Sequence, residues 1–236
     1  MDAPLASGAR VQLAGSAAAH VARVLRLKAG DALTLFNGAG GEYAGRIALA
    51  RGAALEVEVG VAAPLERESP LAITLVQGVS RGERMDWVVQ KATELGVARL
   101  APVLTERSVV RLDERQARKR REHWRAIAIA ACEQCGRNRL PQVDAALPLR
   151  QFLREDRIEA TRLMLSPEAT LPLSDIPRPP DEVRVLIGPE GGLNEEERGH
   201  AAAAGYAGVR LGPRVLRTET AAVAALALLQ RQFGDL

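Results

Sequence analysis

Two segments of the sequence combine glycine, proline and charged side chains in a way that suits ligand binding. Residues 183–197 read VRVLIGPEGGLNEEE, and residues 208–221 read GVRLGPRVLRTETA. Each begins with apolar residues typical of a buried strand and continues into a Gly-Pro loop. Because ligands bind at the carboxyl ends of parallel strands, and glycine lets the backbone approach them closely, the two loops predict two walls of one pocket.

This predicted pocket does not carry the best-known nucleotide motifs. Neither loop ends in the Lys-Ser/Thr pair of a phosphate-binding P-loop, and neither contains GxGxxG. The loops could instead hold an adenosine through backbone N–H and C=O groups. The alternative is a pair of tight strand-to-helix turns without a ligand. Asn194 and Glu197 have the spacing of a capping box, which predicts a helix beginning at Asn194.

The charged end of the second segment allows two interpretations. Thr218 is predicted to cap the last helix, with Glu219 in the first turn, where a carboxylate is favoured by the helix dipole. That role alone would explain Glu219. In the functional alternative, Arg217 and Glu219 face the pocket, where Arg217 binds an anion and Glu219 handles a proton. The sequence leaves both interpretations open.

The basic residues form two groups that could contact RNA. Residues 111–139 hold nine Arg or Lys against four Asp or Glu, a net charge of +5 that exceeds the +3 of the whole chain. This segment could contact a phosphate backbone or be a solvated helix face. Arg137 and Arg139 fall in a loop, where polar residues are better functional candidates. The second group could bind RNA through phosphates, and its members are Arg10, Arg23, Arg26 and Lys28.

Composition favours an α/β interior. The 236 residues are 47% apolar but only 3% aromatic, so the core must be built from Leu, Val, Ile and Ala. No segment resembles a signal peptide. The longest apolar run, Ala221 to Leu229, has nine residues, far fewer than the roughly 20 that a membrane helix needs. We therefore expect a soluble, cytoplasmic protein.

Cys132 and Cys135 form a CxxC pair within a helical pattern. The pair could be redox-active or half of a zinc site. Zinc would need further ligands, however, and His20, His123 and His200 do not have ligand spacing. We therefore expect two reduced helical thiols and no metal.

The chain is predicted to contain two domains joined by the proline-bracketed linker 64–70. The first, residues 1–68, is expected to be a compact β-barrel with one helix at 17–27 and a hairpin turn at 37–41. The second, residues 71–236, alternates strands with helices, which indicates a mostly parallel sheet covered on both faces. The predicted strands are 32–36, 42–49, 54–61, 71–76, 99–104, 162–165, 183–187 and 209–211, and the later helices are 83–95, 113–133, 194–204 and 218–233.

Five motifs that occur in order, together with residues 24–31 (VLRLKAGD), make the chain similar to one family. These motifs are RMDWVVQKATELG at 84–96, TERS at 105–108, EQCGR at 133–137 with Pro141, IGPEGG at 187–192 and LGPRVLRTETA at 211–221. Together they resemble the bacterial small-subunit (16S) ribosomal RNA uracil-N3 methyltransferases of the SPOUT superfamily. The resemblance covers essentially the whole chain.

The resemblance implies a PUA-like RNA-binding barrel at 1–68 and a knotted (trefoil) α/β methyltransferase domain at 71–236. It also implies a homodimer, S-adenosyl-L-methionine as methyl donor, and 16S rRNA within the small ribosomal subunit as substrate. The expected cofactor-binding residues are Leu165, Ser166, Ile187, Gly188, Pro189, Glu190, Gly191, Gly192, Leu211, Gly212, Arg214, Val215, Leu216, Thr220 and Ala221. The expected RNA-binding residues are Arg10, Arg23, Arg26, Lys28, Arg84, Lys91, Arg137 and Arg139.

The implied chemistry needs the uracil N3 proton to be removed while N3 lies in line with the methyl–sulfonium bond. Arg217 and Arg137 are candidates to stabilise the negative charge on the uracil oxygens. Glu219 or Glu190 could accept the proton. N3 lies on the pairing edge, so the base must be unpaired or extruded. The alternatives are a ribose 2′-O-methyltransferase, an RNA-binding assembly factor without turnover, and a metabolic nucleotide-binding enzyme.

Overall fold

The computed structural model describes residues 4–51, 54–108, 110, 112–156, 159–179 and 182–236. These residues divide into two structural units. The first contains the chain up to Glu68 together with Gly136–Leu140, and the second contains Ser69–Cys135 and Pro141–Leu236. The loop 136–140 thus lies in the first unit, although it falls within the predicted second domain, residues 71–236.

The first unit is built on a four-stranded antiparallel sheet with the strand order β1-β4-β3-β2. Alternate strand residues such as Leu35, Ile47 and Val57 are buried in its core, as the alternation in the sequence predicts. The predicted hairpin is present, with β2 paired antiparallel to β3. The elements are β1 (Arg10–Leu13), α1 (Gly15–Ala19) with a π-helical turn (His20–Val24), β2 (Ala32–Leu35), β3 (Glu42–Arg51) and β4 (Ala54–Ala63).

The loop 136–140 belongs to the first unit because its polar side chains bind the segment that follows β4. Arg137 is buried and donates from Nε to Glu68 Oε1 at 3.0 Å, and its Nη2 also contacts Glu68. Asn138 donates to the carbonyl of Leu65, and Arg139 donates to Glu66 at 2.5 Å. Three side chains in a row thus hold the loop to residues 65–68.

The second unit contains a seven-stranded sheet with the order β11-β9-β10-β5-β6-β7, and β8 also pairs with β6. Every pairing is parallel, which confirms the predicted mostly parallel α/β class. The strands are β5 (Ala72–Gly78), β6 (Arg99–Leu104), β7 (Gln142–Val143), β8 (Leu147–Pro148), β9 (Thr161–Leu165), β10 (Glu182–Ile187) and β11 (Ala207–Val209). The helices are α2 (Glu83–Glu94), α3 (Glu114–Cys135), α4 (Leu149–Glu155), α5 (Glu195–Ala203) and α6 (Thr218–Phe233), with a 3₁₀ turn at Leu173–Asp175.

The sheet is covered on both faces, so its central strands are apolar almost throughout. All residues of β10 except the first are buried, as are all residues of β5 except the first. Helix α2 buries Met85, Val88, Val89 and Ala92 on one face, as its 3.6-residue period predicts. No helix in the described part of the chain is long and apolar enough to span a membrane.

The strand order places three carboxyl ends side by side. Strand β9 lies between β11 and β10, and all three run in the same direction. The loops that follow Leu165, Ile187 and Val209 therefore leave the sheet at the same edge. This edge positions the candidate site.

Candidate active site

A cavity of about 530 Å³ opens at the carboxyl edge of β9, β10 and β11. The structure brings the two Gly-Pro loops together here, with the residues that follow β9. Every residue that was predicted to bind the cofactor lines this cavity except Thr220, which is exposed on α6. The lining members are Leu165, Ser166, Ile187, Gly188, Pro189, Glu190, Gly191, Gly192, Leu211, Gly212, Arg214, Val215, Leu216 and Ala221.

The end of β5 supports the first Gly-Pro loop through a close backbone contact. A Cβ atom at Gly78 would lie only 2.4 Å from the nitrogen of Pro189, so only glycine fits there. The loop then turns through the 2.8 Å bond from Gly192 N–H to the carbonyl of Pro189. Beyond it, Asn194 and Glu197 form the predicted capping box at the start of α5, which confirms that prediction.

Thr218 joins the two Gly-Pro segments to each other, and its predicted capping role is wrong. The cap position of α6 is Arg217, whose side chain makes no capping bond, and Thr218 is the first residue of the helix. The buried Thr218 hydroxyl donates to the carbonyl of Gly188 at 2.7 Å and accepts from Gln77 Nε2 at 2.9 Å. The Thr218 hydroxyl therefore bonds to the first Gly-Pro loop instead of capping α6.

Glu190 is held by two neighbouring residues. Its carboxylate accepts from the backbone N–H of Arg81 at 3.0 Å and from Arg84 Nη1 at 2.9 Å. Burial alone would raise the pKa of Glu190, but the hydrogen bonds from the backbone N–H groups of Arg81 and Glu190 and from Arg84 lower it below its usual value. A carboxylate stabilised in this way is a weak proton acceptor.

Glu219 lies in a different environment on the same cavity. Arg84 Nε lies 3.9 Å from Glu219 Oε1, a long ion pair. The other carboxylate oxygen, Oε2, is buried and has no hydrogen-bond partner among the described residues. Buried acceptors are nearly always satisfied, so an unpartnered one on a cavity wall points to a missing ligand or to a reactive role.

Two exposed arginines follow β11. Arg214 and Arg217 line the cavity, and their side chains form no hydrogen bond or ion pair with the part of the chain that the structure describes. Arg84, which was predicted to bind RNA, also lines the cavity but is paired with Glu190. The site thus offers one unpartnered carboxylate oxygen and two unpaired guanidinium groups.

Comparison with known proteins agrees with this geometry. The family model described as the RNA methyltransferase domain matches residues 67–230, and the RNA methyltransferase PUA domain matches residues 13–59. A curated relative from Buchnera aphidicola, named ribosomal RNA small subunit methyltransferase E, is 34% identical over 96% of this chain and 92% of its own length. This chain belongs to that RNA methyltransferase family. The resemblance seen in the sequence is confirmed.

Two solved structures extend the family match to the fold. Ribosomal RNA small subunit methyltransferase E from Neisseria gonorrhoeae, bound to S-adenosyl methionine, is 38% identical with a TM-score of 0.92. The alignment covers 100% of this chain and 97% of that one. A Legionella pneumophila protein in complex with the bound cofactor SAM is 42% identical with a TM-score of 0.93, covering 99% and 96% of the two chains.

Several residues predicted to act in this methyltransferase lie outside the cavity lining. Arg137 belongs to the first unit, where its buried guanidinium is paired with Glu68. Arg139, in the same loop as Arg137, is paired with Glu66. Lys91 is paired with Glu94 on α2. The remaining predicted RNA-binding residues are exposed on the first unit, and they are Arg10, Arg23, Arg26 and Lys28. Arg111, in the basic segment, lies outside the described residues.

The cysteine pair lies on α3, with Cys132 buried and Cys135 partly exposed, and both thiols are free. No group of three or more potential ligands from His, Cys, Asp and Glu comes together within the described ranges.

Sequence reasoning missed three charged residues that line the cavity: Arg107, Arg198 and Glu168. Arg198 lies 3.8 Å from Glu168, so these two form an ion pair. Arg107 follows β6 and was visible only as part of the TERS motif. Gln77 was also missed, although a glutamine at the end of the apolar run of β5 was a usable signal.

Proposed function

We propose that this protein transfers a methyl group from S-adenosyl-L-methionine to N3 of one uridine in the 16S rRNA of the small ribosomal subunit. The observation that carries the proposal is the cavity itself. Two Gly-Pro loops, the unpartnered Glu219 oxygen and the unpaired Arg217 meet on it. The names of the relatives and the cofactor held by the Neisseria structure support it.

The cavity fits a nucleoside-containing cofactor. Its volume of about 530 Å³ lies in the range of small-molecule sites, roughly 300–1,000 Å³. The glycines of both loops leave backbone groups accessible to an adenosine, and Leu165, Ile187 and Leu216 supply apolar wall for a flat base. When bound, the cofactor supplies an electrophilic methyl group on a sulfonium.

Glu219 is our candidate to accept the N3 proton. Its Oε2 atom is buried and has no competing donor among the described residues, so a bond from a substrate N–H, formed once the carboxylate turns toward the cavity, would replace no existing bond of that oxygen. Glu190 is the weaker candidate because Arg81 and Arg84 already bind its carboxylate and lower its pKa. A base must come within hydrogen-bond reach of the proton, and Glu219 lines the cavity with one carboxylate oxygen that has no partner among the described residues.

Arg217 is our candidate to stabilise the charge that develops on the uracil oxygens as the proton leaves. Its guanidinium lines the cavity without an acidic partner, so its charge is available to the substrate. Arg137 does not share this assignment because Glu68 holds it in the first unit. Arg84 positions Glu190 rather than contacting RNA, given their 2.9 Å ion pair.

The remaining features of the proposal rest on the family resemblance. The first unit binds rRNA through its exposed basic residues, and two chains associate as a homodimer around a knotted second unit. A cytoplasmic location follows from a ribosomal substrate. The PUA-domain match at residues 13–59 supports the RNA-binding role of the first unit.

The test is to incubate the protein with labelled S-adenosyl-L-methionine and small ribosomal subunits that lack the modification, then to identify the labelled nucleoside by mass spectrometry. We expect N3-methyluridine at a single position. A ribose-methylated nucleoside would replace the proposed reaction with 2′-O-methylation. RNA binding without any transfer would favour an assembly factor.

A further inference from the structure

A tight turn presents Arg107 at the mouth of the cavity. The turn spans Thr105–Ser108 directly after β6. The Ser108 N–H donates to the carbonyl of Thr105 at 3.1 Å, and the Thr105 N–H donates to the Ser108 hydroxyl at 3.1 Å. The two hydroxyls lie 3.0 Å apart, and Ser108 is buried. The ends of the turn are therefore fixed, while Arg107 within it is exposed.

The residue before Arg107 attaches the turn to the capping box of α5. The Glu106 N–H donates to Glu197 Oε1 at 2.8 Å, and Asn194 Nδ2 donates to the Glu106 carboxylate at 2.6 Å. These two bonds connect the turn to the residues that begin α5 and end the first Gly-Pro loop. The backbone of Arg107 is thus positioned relative to one wall of the cavity.

The side chain of Arg107 contacts that wall through Gly191. Its Nη1 donates to the Gly191 carbonyl at 3.1 Å. A Cβ atom at Gly191 would lie 3.0 Å from the Cβ of Arg107, so glycine permits this approach. The bond to Gly191 uses one of five guanidinium N–H donors, which leaves a planar donor set for a further acceptor.

The charge balance around the cavity shows what that acceptor would be. Arg84 is paired with Glu190, and Arg198 with Glu168. The other three arginines on the lining have no carboxylate partner in the described part of the chain: Arg107, Arg214 and Arg217. The lining as a whole holds five arginines against three glutamates, a net charge of +2, which attracts a polyanion, and a guanidinium matches the oxygens of a phosphate.

Arg107 comes from a different strand end than the loops that we assign to the cofactor, although its guanidinium contacts one of them at Gly191. Those loops follow β9, β10 and β11, whereas Arg107 follows β6, two strands from β10 in the order β10-β5-β6. We propose that Arg107 binds a backbone phosphate of the RNA strand that delivers the target base. This inference rests on the proposed function, because it takes the bound polyanion to be the RNA substrate.

The first experiment measures binding of an unmodified 16S rRNA transcript across a range of salt concentrations. We expect Arg107→Ala to reduce the slope of log affinity against log salt by about 0.7–0.9, as the loss of one phosphate contact would. Near 0.1 M salt this corresponds to about fivefold weaker binding. Arg107→Lys should keep most of the slope because the charge remains.

The matched control is Arg178→Ala. Arg178 is an exposed arginine outside the helices and strands that precedes β10 in the chain and does not line the cavity, and we expect its replacement to leave the salt slope unchanged. Wild-type slope and affinity in Arg107→Ala, with an unchanged melting temperature, would overturn the inference. Equal losses in both variants would do so as well, because they would show a general charge effect.

Cofactor titration without RNA distinguishes the phosphate from the cofactor carboxylate. We expect Arg107→Ala to keep most of its affinity for S-adenosyl-L-methionine, because the turn at Gly192 and the cap at Asn194 remain when the bond to Gly191 is lost; a loss of cofactor affinity as large as the loss of RNA affinity would overturn the assignment to RNA. Failure of the proposed function would look different. If the wild type transferred no methyl group but Arg107→Ala still reduced the salt slope, the proposed reaction would be rejected and the phosphate contact would remain supported.

Discussion

The loops that follow β10 and β11 line the same cavity but differ in their polar contacts. The loop after β10 is held in place by hydrogen bonds to neighbouring residues, whereas the charged side chains of the loop after β11 have no such partners among the described residues. After β10, Glu190 is bound by Arg81 and Arg84, the Gly191 carbonyl by Arg107, and Asn194 caps α5. After β11, the side chains of Arg214 and Arg217 form no polar contact with described residues, and Val215 is 80% exposed.

This difference separates the task of shaping the site from the task of acting on the substrate. A wall whose polar groups already have partners keeps its shape when a ligand binds. Groups without partners can instead form their bonds as charge develops in the reaction, which is when such bonds accelerate it. We therefore assign the chemistry to the open wall and to Glu219, which follows it.

The largest expected effect separates the two glutamates. Glu219→Gln removes the proposed proton acceptor, so we expect single-turnover methyl transfer to slow by about 10²–10⁴-fold. Glu190→Gln should slow it by less than about tenfold, because a glutamine oxygen can still accept from Arg81 and Arg84. Rates are measured with RNA and cofactor saturating, and a larger loss in Glu190→Gln would reverse the assignment.

The next effect concerns Arg217 on the open wall. Arg217→Ala removes a charge aimed at the developing oxyanion, and we expect the rate constant for transfer to fall by about 10²–10³-fold with cofactor affinity retained. The matched control is Arg231→Ala, an exposed arginine in the last turn of α6. If calorimetry showed that Arg217→Ala mainly weakens cofactor binding, Arg217 would belong to the cofactor site instead.

Thr218 tests the bond that joins the two loops. Thr218→Val keeps the shape but removes the bond to Gly188 and leaves the Gln77 amide without one of its acceptors. We expect the free energy of unfolding to fall by about 1–3 kcal/mol, measured by denaturant titration. Thr218→Ser keeps the hydroxyl and should recover most of the loss; an equally unstable serine variant would show that the methyl group matters more.

A smaller effect is expected at the cap of α5, on the held wall. Asn194→Ala should lower the free energy of unfolding by about 1 kcal/mol, because the first turn loses its side-chain acceptor. Asn194→Ser restores that acceptor and serves as the control. Thermal unfolding of the two variants compares them, and equal stability of the alanine variant and the wild type would mean that the cap contributes nothing.

The smallest effect is a pH dependence from Glu190. Its pKa is lowered in the folded protein relative to the ordinary value of 4.5, so its contribution to stability is present above that value. The contribution is lost as the pH falls through the folded pKa, because the unfolded chain then binds the proton more readily. Denaturant titrations from pH 5 down to about pH 3 should show a shallower decline in Glu190→Gln than in the wild type. Parallel curves would contradict the lowered pKa.

Most regular elements of both units could be predicted because their apolar patterns are long and unambiguous, whereas β1, with only four residues, was missed. The period of α2 and the apolar run of β10 are examples, and the structure has both. The two-residue strands β7 and β8 were missed because two residues cannot display a period. Helix α4 was missed as well, because its seven residues span only about two turns and show little of the helical apolar period. The predicted helix 17–27 lies two to three residues too far along the chain, since the structure has a short helix from Gly15 and a π-helical turn ending at Val24.

The candidate site was predictable where it depends on local sequence. The Gly-Pro loops and the Asn194 cap are local features, and the sequence placed them correctly. The partners of individual side chains depend on strand order, which no local pattern contains. The sequence therefore could not show that Thr218 would bond to Gly188, 30 residues away, or that Glu68 would engage Arg137.

The pH profile of single-turnover methyl transfer tests the central claim, that Glu219 accepts the uracil proton. We predict that the defect of Glu219→Gln shrinks steadily as the pH rises, because the uracil imide then loses its proton to solvent and needs no base. A defect of constant size at every pH would contradict the claim and would assign Glu219 a structural role. Wild-type rates in the variant would contradict it as well.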